Sequence, residues 1–265
     1  MKTAPSLALI INTFNQPDYL ARVLAAVSHQ ASPPAEVLLA DDGSGPETKE
    51  VFARWAAGQT LPAQHIWQPN KGFRRSRILN QAIAATLSDY VVFLDGDTLP
   101  HPQFVADHQA LALYGAFVQG HRALVGQQAA AWFGRQSLAA DRRRAWREGQ
   151  LQGWKNAWRW PLPWLVYQKG LRGIRGCNLA IWRADLVRVN GYNEDFTGWG
   201  REDSELAVRL LNSGVRRRDL RGRALCYHLW HPPASRAQLT GNNLLLEQAL
   251  KTAAQRCELG LNQYL

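Results

Sequence analysis

The sequence predicts an α/β protein, a doubly wound and mostly parallel central sheet flanked by helices, with a C-terminal helical extension. Three observations carry this. Over the first hundred residues, apolar runs of strand length alternate with segments whose apolar residues recur at helical spacing. The links between them are short and rich in Pro, Gly, Asn and Asp. The apolar runs also stop at polar residues, Thr13, Asp42 and Asp95 among them. Alternation of this kind argues parallel strands joined by helices, with a ligand site beyond the carboxyl ends of the strands.

The elements follow in order. Residues 7–11 read as a buried strand, then Asn12 to Pro17 as a polar turn with Pro at a first helical position. A helix over about 18–30 places Leu20, Val23, Leu24 and Val27 on one face. Pro33-Pro34 breaks the chain before a second strand at 36–40, which ends in Asp41-Asp42-Gly43-Ser44-Gly45. A helix near 47–57, a strand around 64–68, a helix from about 76 to 87 and a strand from Tyr90 to Asp95 repeat the pattern. Residues 202–205, Glu-Asp-Ser-Glu, open a further helix carrying Leu206, Val208, Leu210 and Leu211. The tail from 235 to 265 reads as one amphipathic helix or two, with Leu244, Leu245, Leu246, Ala249 and Leu250 apolar.

At 265 residues the chain fits one large domain: residues 1–232, with halves of about 1–100 and 101–232, and a tail over 233–265. The apolar run near the start is too short for a signal-peptide core or a bilayer span, so a soluble, cytoplasmic protein is expected. Three widely spaced cysteines, Cys177, Cys226 and Cys257, argue against a disulfide framework or a paired-cysteine metal site. The net charge of +10 is uneven: residues 141–175 hold nine basic side chains against two acids, interleaved with Trp146, Trp154, Trp158, Trp160 and Trp164. Aromatic and basic residues so mixed suit an anionic lipid surface or a phosphorylated glycan, and 141–172 is expected to be an inserted segment doing that work. Nucleic acid is not expected, because no recognisable binding motif accompanies the charge.

Asp95-Gly96-Asp97 is the strongest chemical signal. Two carboxylates at a strand end suit a hard divalent cation that carries a diphosphate. An acidic turn after a strand is common, so the pair needs company. Neither Gly-x-Gly-x-x-Gly after the first strand nor Gly-x-x-x-x-Gly-Lys-Ser/Thr anywhere is present, which removes the main support for dinucleotide oxidoreductases and P-loop NTPases.

Four pieces together resemble family 2 inverting glycosyltransferases of the GT-A fold: Ile11 to Asn15, Ala40 to Ser44, Leu94 to Asp97, and Gly198-Trp199-Gly200-Arg201-Glu202-Asp203. The last is similar to the C-terminal region of galactosyltransferase-like and chondroitin-polymerase-like members, whose pattern is Trp-Gly-Gly-Glu-Asp; Arg201 stands where that pattern has its second glycine. The resemblance implies Thr13, Asn15 and Asp42 at the nucleotide, Asp42 accepting from a uracil imide if the donor is a uridine sugar. It implies Asp95 near the ribose or bridging to a metal, Asp97 as direct ligand of a cation under the diphosphate, and a histidine completing the sphere. Of His228 and His231, His228 aligns better, and an imidazole ligand tilts the choice towards manganese over magnesium. Asp203 is implied as the base, Glu202 as a holder of acceptor hydroxyls, and Trp199 and Gly200 as part of a sugar pocket. Asn178, in Gly176-Cys177-Asn178, is implied under the donor sugar. Arg74 or Arg77 would neutralise phosphate. The implied activity is metal-dependent transfer, with inversion, from a nucleotide diphosphate donor to a glycan or lipid-linked acceptor, as in lipopolysaccharide or other surface-glycan synthesis. A sugar-phosphate nucleotidyltransferase or a non-catalytic adaptor on a decayed transferase domain are the alternatives.

Overall fold

The computed structural model describes residues 4–265. The chain begins with β1 (Leu7–Thr13), α1 (Pro17–Ser28), β2 (Glu36–Asp41), α2 (Pro46–Ala57), β3 (Ala63–Trp67), α3 (Arg75–Ala85) and β4 (Tyr90–Asp95). It continues through β5 (Thr98–Pro100), α4 (Phe104–Leu111), β6 (Ala116–Gln119), β7 (Arg122–Val125), α5 (Gln127–Ala130), α6 (Leu138–Arg147), β8 (Leu151–Gln152) and β9 (Trp164–Gln168). It closes with β10 (Leu179–Trp182), α7 (Arg183–Val189), α8 (Glu202–Asn212), β11 (Arg216–Arg221), β12 (Cys226–His228) and α9 (Leu239–Lys251).

Eight strands form the main sheet in the order β3-β2-β1-β4-β10-β6-β11-β9, and β5-β12-β7-β8 form a smaller one. β1 is buried almost throughout, and its side chains alternate between two cores. Leu7, Leu9 and Ile11 meet Leu20, Val23 and Leu24 of α1 and Phe52 of α2 on one face. Ala8 and Ile10 meet Ile78, Leu79, Leu186 and Leu206 of α3, α7 and α8 on the other. Truncating one such leucine to alanine costs about 2–5 kcal/mol. The sheet is thus a filled middle layer.

The expected parallel run holds over β3, β2, β1 and β4. Beyond β4 the sheet is mixed, because β10 runs against both β4 and β6, and β9 against β11. The strand order reverses at β1 and β4, where parallel strands leave a crevice at their carboxyl ends. Asn12 pairs in register with Asp95 there.

The Arg- and Trp-rich stretch is tied into the fold, for its β9 is the edge strand of the main sheet, paired with β11. The tail forms one helix and a single 3-10 turn, with Leu244 and Leu250 exposed, while Leu261 in the turn is completely buried. No helix among the described residues is long and apolar enough to cross a membrane.

Candidate active site

The loops after β1 and β2 are tied together. Asn15 adopts a positive φ of 48°, its N–H donates to Ser44 Oγ, and its Oδ1 accepts from Gly45 N at 2.9 Å. Asp41 makes the local turn, accepting from Ser44 N, while Gly43 takes φ +94°. A Cβ on Gly43 would meet Asn70 N at 2.5 Å, so that position has room only for glycine. Asp41 also meets His65 Nε2 at 2.9 Å. The Asp42 carboxylate accepts from Gln68 Nε2 at 2.6 Å and from the Arg74 main-chain N–H at 2.8 Å, and burial pushes its pKa up. Thr13 is buried, and its Oγ1 lies where a Cβ on Gly96 would come within 2.9 Å.

Three of the expected contacts fall elsewhere. The Arg74 guanidinium folds back onto the Pro69 carbonyl. Arg77 is turned towards the tail, its guanidinium 6.0 Å from the Tyr264 ring centroid. Asn178 is fully buried, donating to the carbonyls of His121 and Ala224 and meeting His108 Nε2 at 3.0 Å; it is a tie between segments and presents no amide to a ligand.

The arginine that does reach the acids is Arg75. Its Nη1 donates to Asp203 Oδ1 at 2.9 Å and Glu202 Oε1 at 3.2 Å, and its Nη2 lies 3.6 Å from Asp95 Oδ1. The sequence carried a signal for this: Arg75 precedes Ile78, Leu79, Ala82 and Ile83 by three, four, seven and eight residues, so it shares their buried face, whereas Arg77 does not. Asp203 also accepts from Gly176 N at 2.7 Å and from Tyr192 OH at 3.3 Å. A Cβ on Gly176 would strike Arg75 Nη2 at 2.1 Å and Asp203 Oδ1 at 2.6 Å, so this glycine lets the backbone come up beneath the carboxylate. Burial, with the Asp203 charge adding to it, pushes Glu202 up to about 7; burial pushes Asp95 up to about 6 against the pull of Arg75.

Asp97 faces different partners. His228 Nε2 lies 3.5 Å from its Oδ1 and His231 Nε2 lies 3.1 Å from its Oδ2. One ligand atom from each of the three residues falls within 4.8 Å of the others. Burial works to raise the Asp97 carboxyl, but the His231 hydrogen bond and the two imidazoles outweigh it and hold the pKa below its ordinary value. An oxygen and two nitrogens in this arrangement suit a divalent transition metal. Asp95 is not part of the cluster. Arg122, at the head of β7, was not singled out in the sequence; its charge acts on Asp95 and His228, and its Nε is buried without a hydrogen bond. Asn12 Oδ1, Thr13 Oγ1, Gln68 Oε1 and Glu202 Oε2 are likewise buried and unbonded. Buried polar atoms are rarely left so, and a ligand in the crevice would meet them.

The loop before α8 presents the half-exposed Trp199, with the Arg236 guanidinium 5.4 Å from its ring. Gly200 takes φ +107°, and Arg201 adopts φ +82°, a conformation glycine favours. Arg201 Nε donates to Asn243 Oδ1 at 2.7 Å, so the loop keeps a glycine-like path without the glycine.

Residues 8–182 match the glycosyl transferase family 2 profile. This chain belongs to glycosyltransferase family 2. Residues 162–232 of the family 2 chain also match the N-terminal domain of galactosyltransferase. It is 26% identical over 243 residues to the chondroitin synthase of Escherichia coli, covering 84% of this chain and 34% of that protein. It is 26% identical over 230 residues to validoxylamine A glucosyltransferase of Streptomyces hygroscopicus subsp. limoneus, covering 80% and 49%. The chain therefore spans between a third and a half of the length of these relatives. Staphylococcus aureus TarS 1-349 in complex with UDP shares the fold at TM-score 0.66 and 14% identity, over 98% of this chain and 68% of that one. The mannosyltransferase PcManGT from Pyrobaculum calidifontis, in complex with GDP-Man and Mn2+, does so at TM-score 0.56 and 21% identity, over 85% and 57%.

Proposed function

We propose that this family 2 enzyme transfers a sugar from a nucleotide diphosphate donor, a UDP-sugar in the first instance, to a glycan hydroxyl, with inversion at the anomeric carbon. The observation that carries this is the meeting of Arg75, Glu202 and Asp203 with the ends of β1 and β4, beside the Asp97 and His228 cluster.

Asp203 is the base in this reading. A carboxylate offers about four lone-pair directions, and Arg75, Tyr192 and Gly176 engage three, leaving one on Oδ2 for an acceptor hydroxyl. That proton passes to Asp203 while the hydroxyl oxygen attacks the anomeric carbon, opposite the departing diphosphate. Glu202, poised near neutrality, holds a neighbouring acceptor hydroxyl, and Trp199 offers a ring face to a sugar. Thr13, Asn15 and Asp42 line the base end, and Arg122 replaces Arg77 as the arginine for the diphosphate. Asp97 and His228 fit a divalent cation, manganese before magnesium, which when bound supplies Lewis-acid relief of the charge on the leaving diphosphate.

A lipid-linked acceptor at an anionic surface fits the exposed Trp146, Trp154 and Trp164, set among the exposed Arg143, Arg147 and Lys155. Bacterial surface-glycan synthesis is the setting this suggests.

Screening UDP- and GDP-sugars for thermal stabilisation and nucleotide release in Mn2+ tests the reading. One donor class should stabilise the protein and be hydrolysed slowly. No response to any of them overturns it.

A further inference from the structure

We propose that a glutamine-lined cavity on the small sheet holds an uncharged sugar ring of the acceptor glycan, at a distance from the hydroxyl that reacts. The inference rests on the transferase reading above and names the class of acceptor, an oligosaccharide chain with neutral residues.

The lining is the first support. Gln127, Gln128, Gln150, Gln152 and Trp230, with Gly126, line a cavity of about 350 Å³. Small-ligand sites usually measure about 300–1,000 Å³. No charged side chain lines it, although the chain carries a net +10 and α6, the helix that leads into it, holds Arg142, Arg143, Arg144 and Arg147. A phosphate or an anionic headgroup would find its partners on that helix and none in the cavity. A carboxamide donates and accepts, as a sugar hydroxyl does, and an indole offers an apolar face with an N–H at its edge.

The state of the amides is the second. Among the described residues, none of the four glutamine side chains bonds to the protein, and none of their polar atoms is sealed from solvent. Gln150 is half-buried and its backbone is fixed at both ends, its N–H donating to the Ala145 carbonyl and its carbonyl accepting from Gly126 N, each at 2.7 Å. A Cβ on Gly126 would come within 2.4 Å of Gln150 Oε1, so this glycine makes room for the Gln150 amide at the cavity wall. An amide held in place with its hydrogen bonds unspent is ready for a ligand's hydroxyls.

Position is the third. His228 of β12 pairs with Leu124 of β7, and Leu124 pairs with Gln152 of β8, so the three side chains share one face of the small sheet. Neighbouring strands lie about 4.8 Å apart, which puts Gln152 about 10 Å from His228. Trp230 joins the two regions: Leu229 N donates to the Asp97 carbonyl, and the Trp230 carbonyl accepts from Tyr19 OH, each at 2.9 Å. A single sugar ring cannot touch both places, but a short oligosaccharide can.

The test is calorimetry on the full chain with the disaccharides and hexasaccharides of neutral β-1,4-glucose, β-1,4-N-acetylglucosamine, α-1,4-glucose and β-1,4-xylose. At least one hexasaccharide should bind, and more tightly than its disaccharide. Gln152→Ala should weaken that binding by about threefold or more, and Trp230→Ala by about tenfold or more, with Trp230→Phe recovering most of the loss. Both side chains are exposed, so the variants should fold, which circular dichroism checks. No binding of any of these glycans, equal affinity for the two lengths, or binding indifferent to both alanine variants overturns the proposal. UDP titrated in Mn2+ separates the two readings: UDP binding with no glycan response leaves the transferase reading standing, whereas loss of UDP binding altogether removes both.

Discussion

Asp95 and Asp97 are two residues apart on one loop and have opposite electrostatic neighbourhoods. Asp95 looks to Arg75, a cation that never releases its proton, and shares it with Glu202 and Asp203. Asp97 looks to two imidazoles, which can exchange a proton for a metal ion. The permanently charged side can hold a carboxylate aimed through a reaction. The exchangeable side is where an ion can enter and leave. Gly96 allows the split by packing its backbone against Thr13.

The division can be broken from the Arg75 side. Asp203→Asn should lower turnover by about 10²–10⁴-fold with little change in UDP affinity; near-normal turnover in steady-state assays would remove Asp203 from the chemistry. Arg75→Met leaves three acids facing one another, and losing one partner of a buried charge cluster costs about 3–5 kcal/mol. Urea unfolding should show that loss, and a change below about 1 kcal/mol would mean that the acids are balanced by something else. Arg75 is a positioning residue, so its variant should also shift the pH profile of turnover.

A gentler probe is pH. Glu202 has its pKa raised from 4.5 to about 7, so its contribution to stability is fully present below 4.5 and is lost as pH rises through 7. Glu202→Gln should therefore match wild type near pH 4.5 and exceed it in melting temperature at pH 8. Equal melting temperatures at pH 8 would show that Glu202 is not held out of water. The smallest effect belongs to Arg201. Replacement by Ala keeps the positive φ and loses the Asn243 bond, costing about 1 kcal/mol. Replacement by Gly relieves about 1–2 kcal/mol of backbone strain and should come out close to neutral. The reverse order in chemical denaturation would mean that the loop is not strained.

The nucleotide half was legible because local rules decide it. Alternating apolar runs fix β1, β2 and β4, and the Asp41 to Gly45 turn follows from glycine and Asx chemistry. The second half was less so. The mixed strand directions past β4 depend on contacts between distant segments, and the edge strand β9 lies hidden in a stretch with exposed aromatics. The family resemblance implied a donor-sugar contact for Asn178, two residues after Gly176; its burial under the His121 and Ala224 carbonyls is set by residues far off in sequence. Arg75 was readable from helical phase, but a run of three arginines in four positions hid which one faced inward.

Tyr264, just after the 3-10 turn that buries Leu261, sits at one end of a relay. Tyr264 OH donates to Glu194, which accepts from Asn80; Asn80 accepts from Tyr192 N, and the Tyr192 hydroxyl rests on Asp203. If Asp203 is the base, as proposed, Tyr264→Phe would cut the first link of that line and slacken the grip on the group that takes the proton.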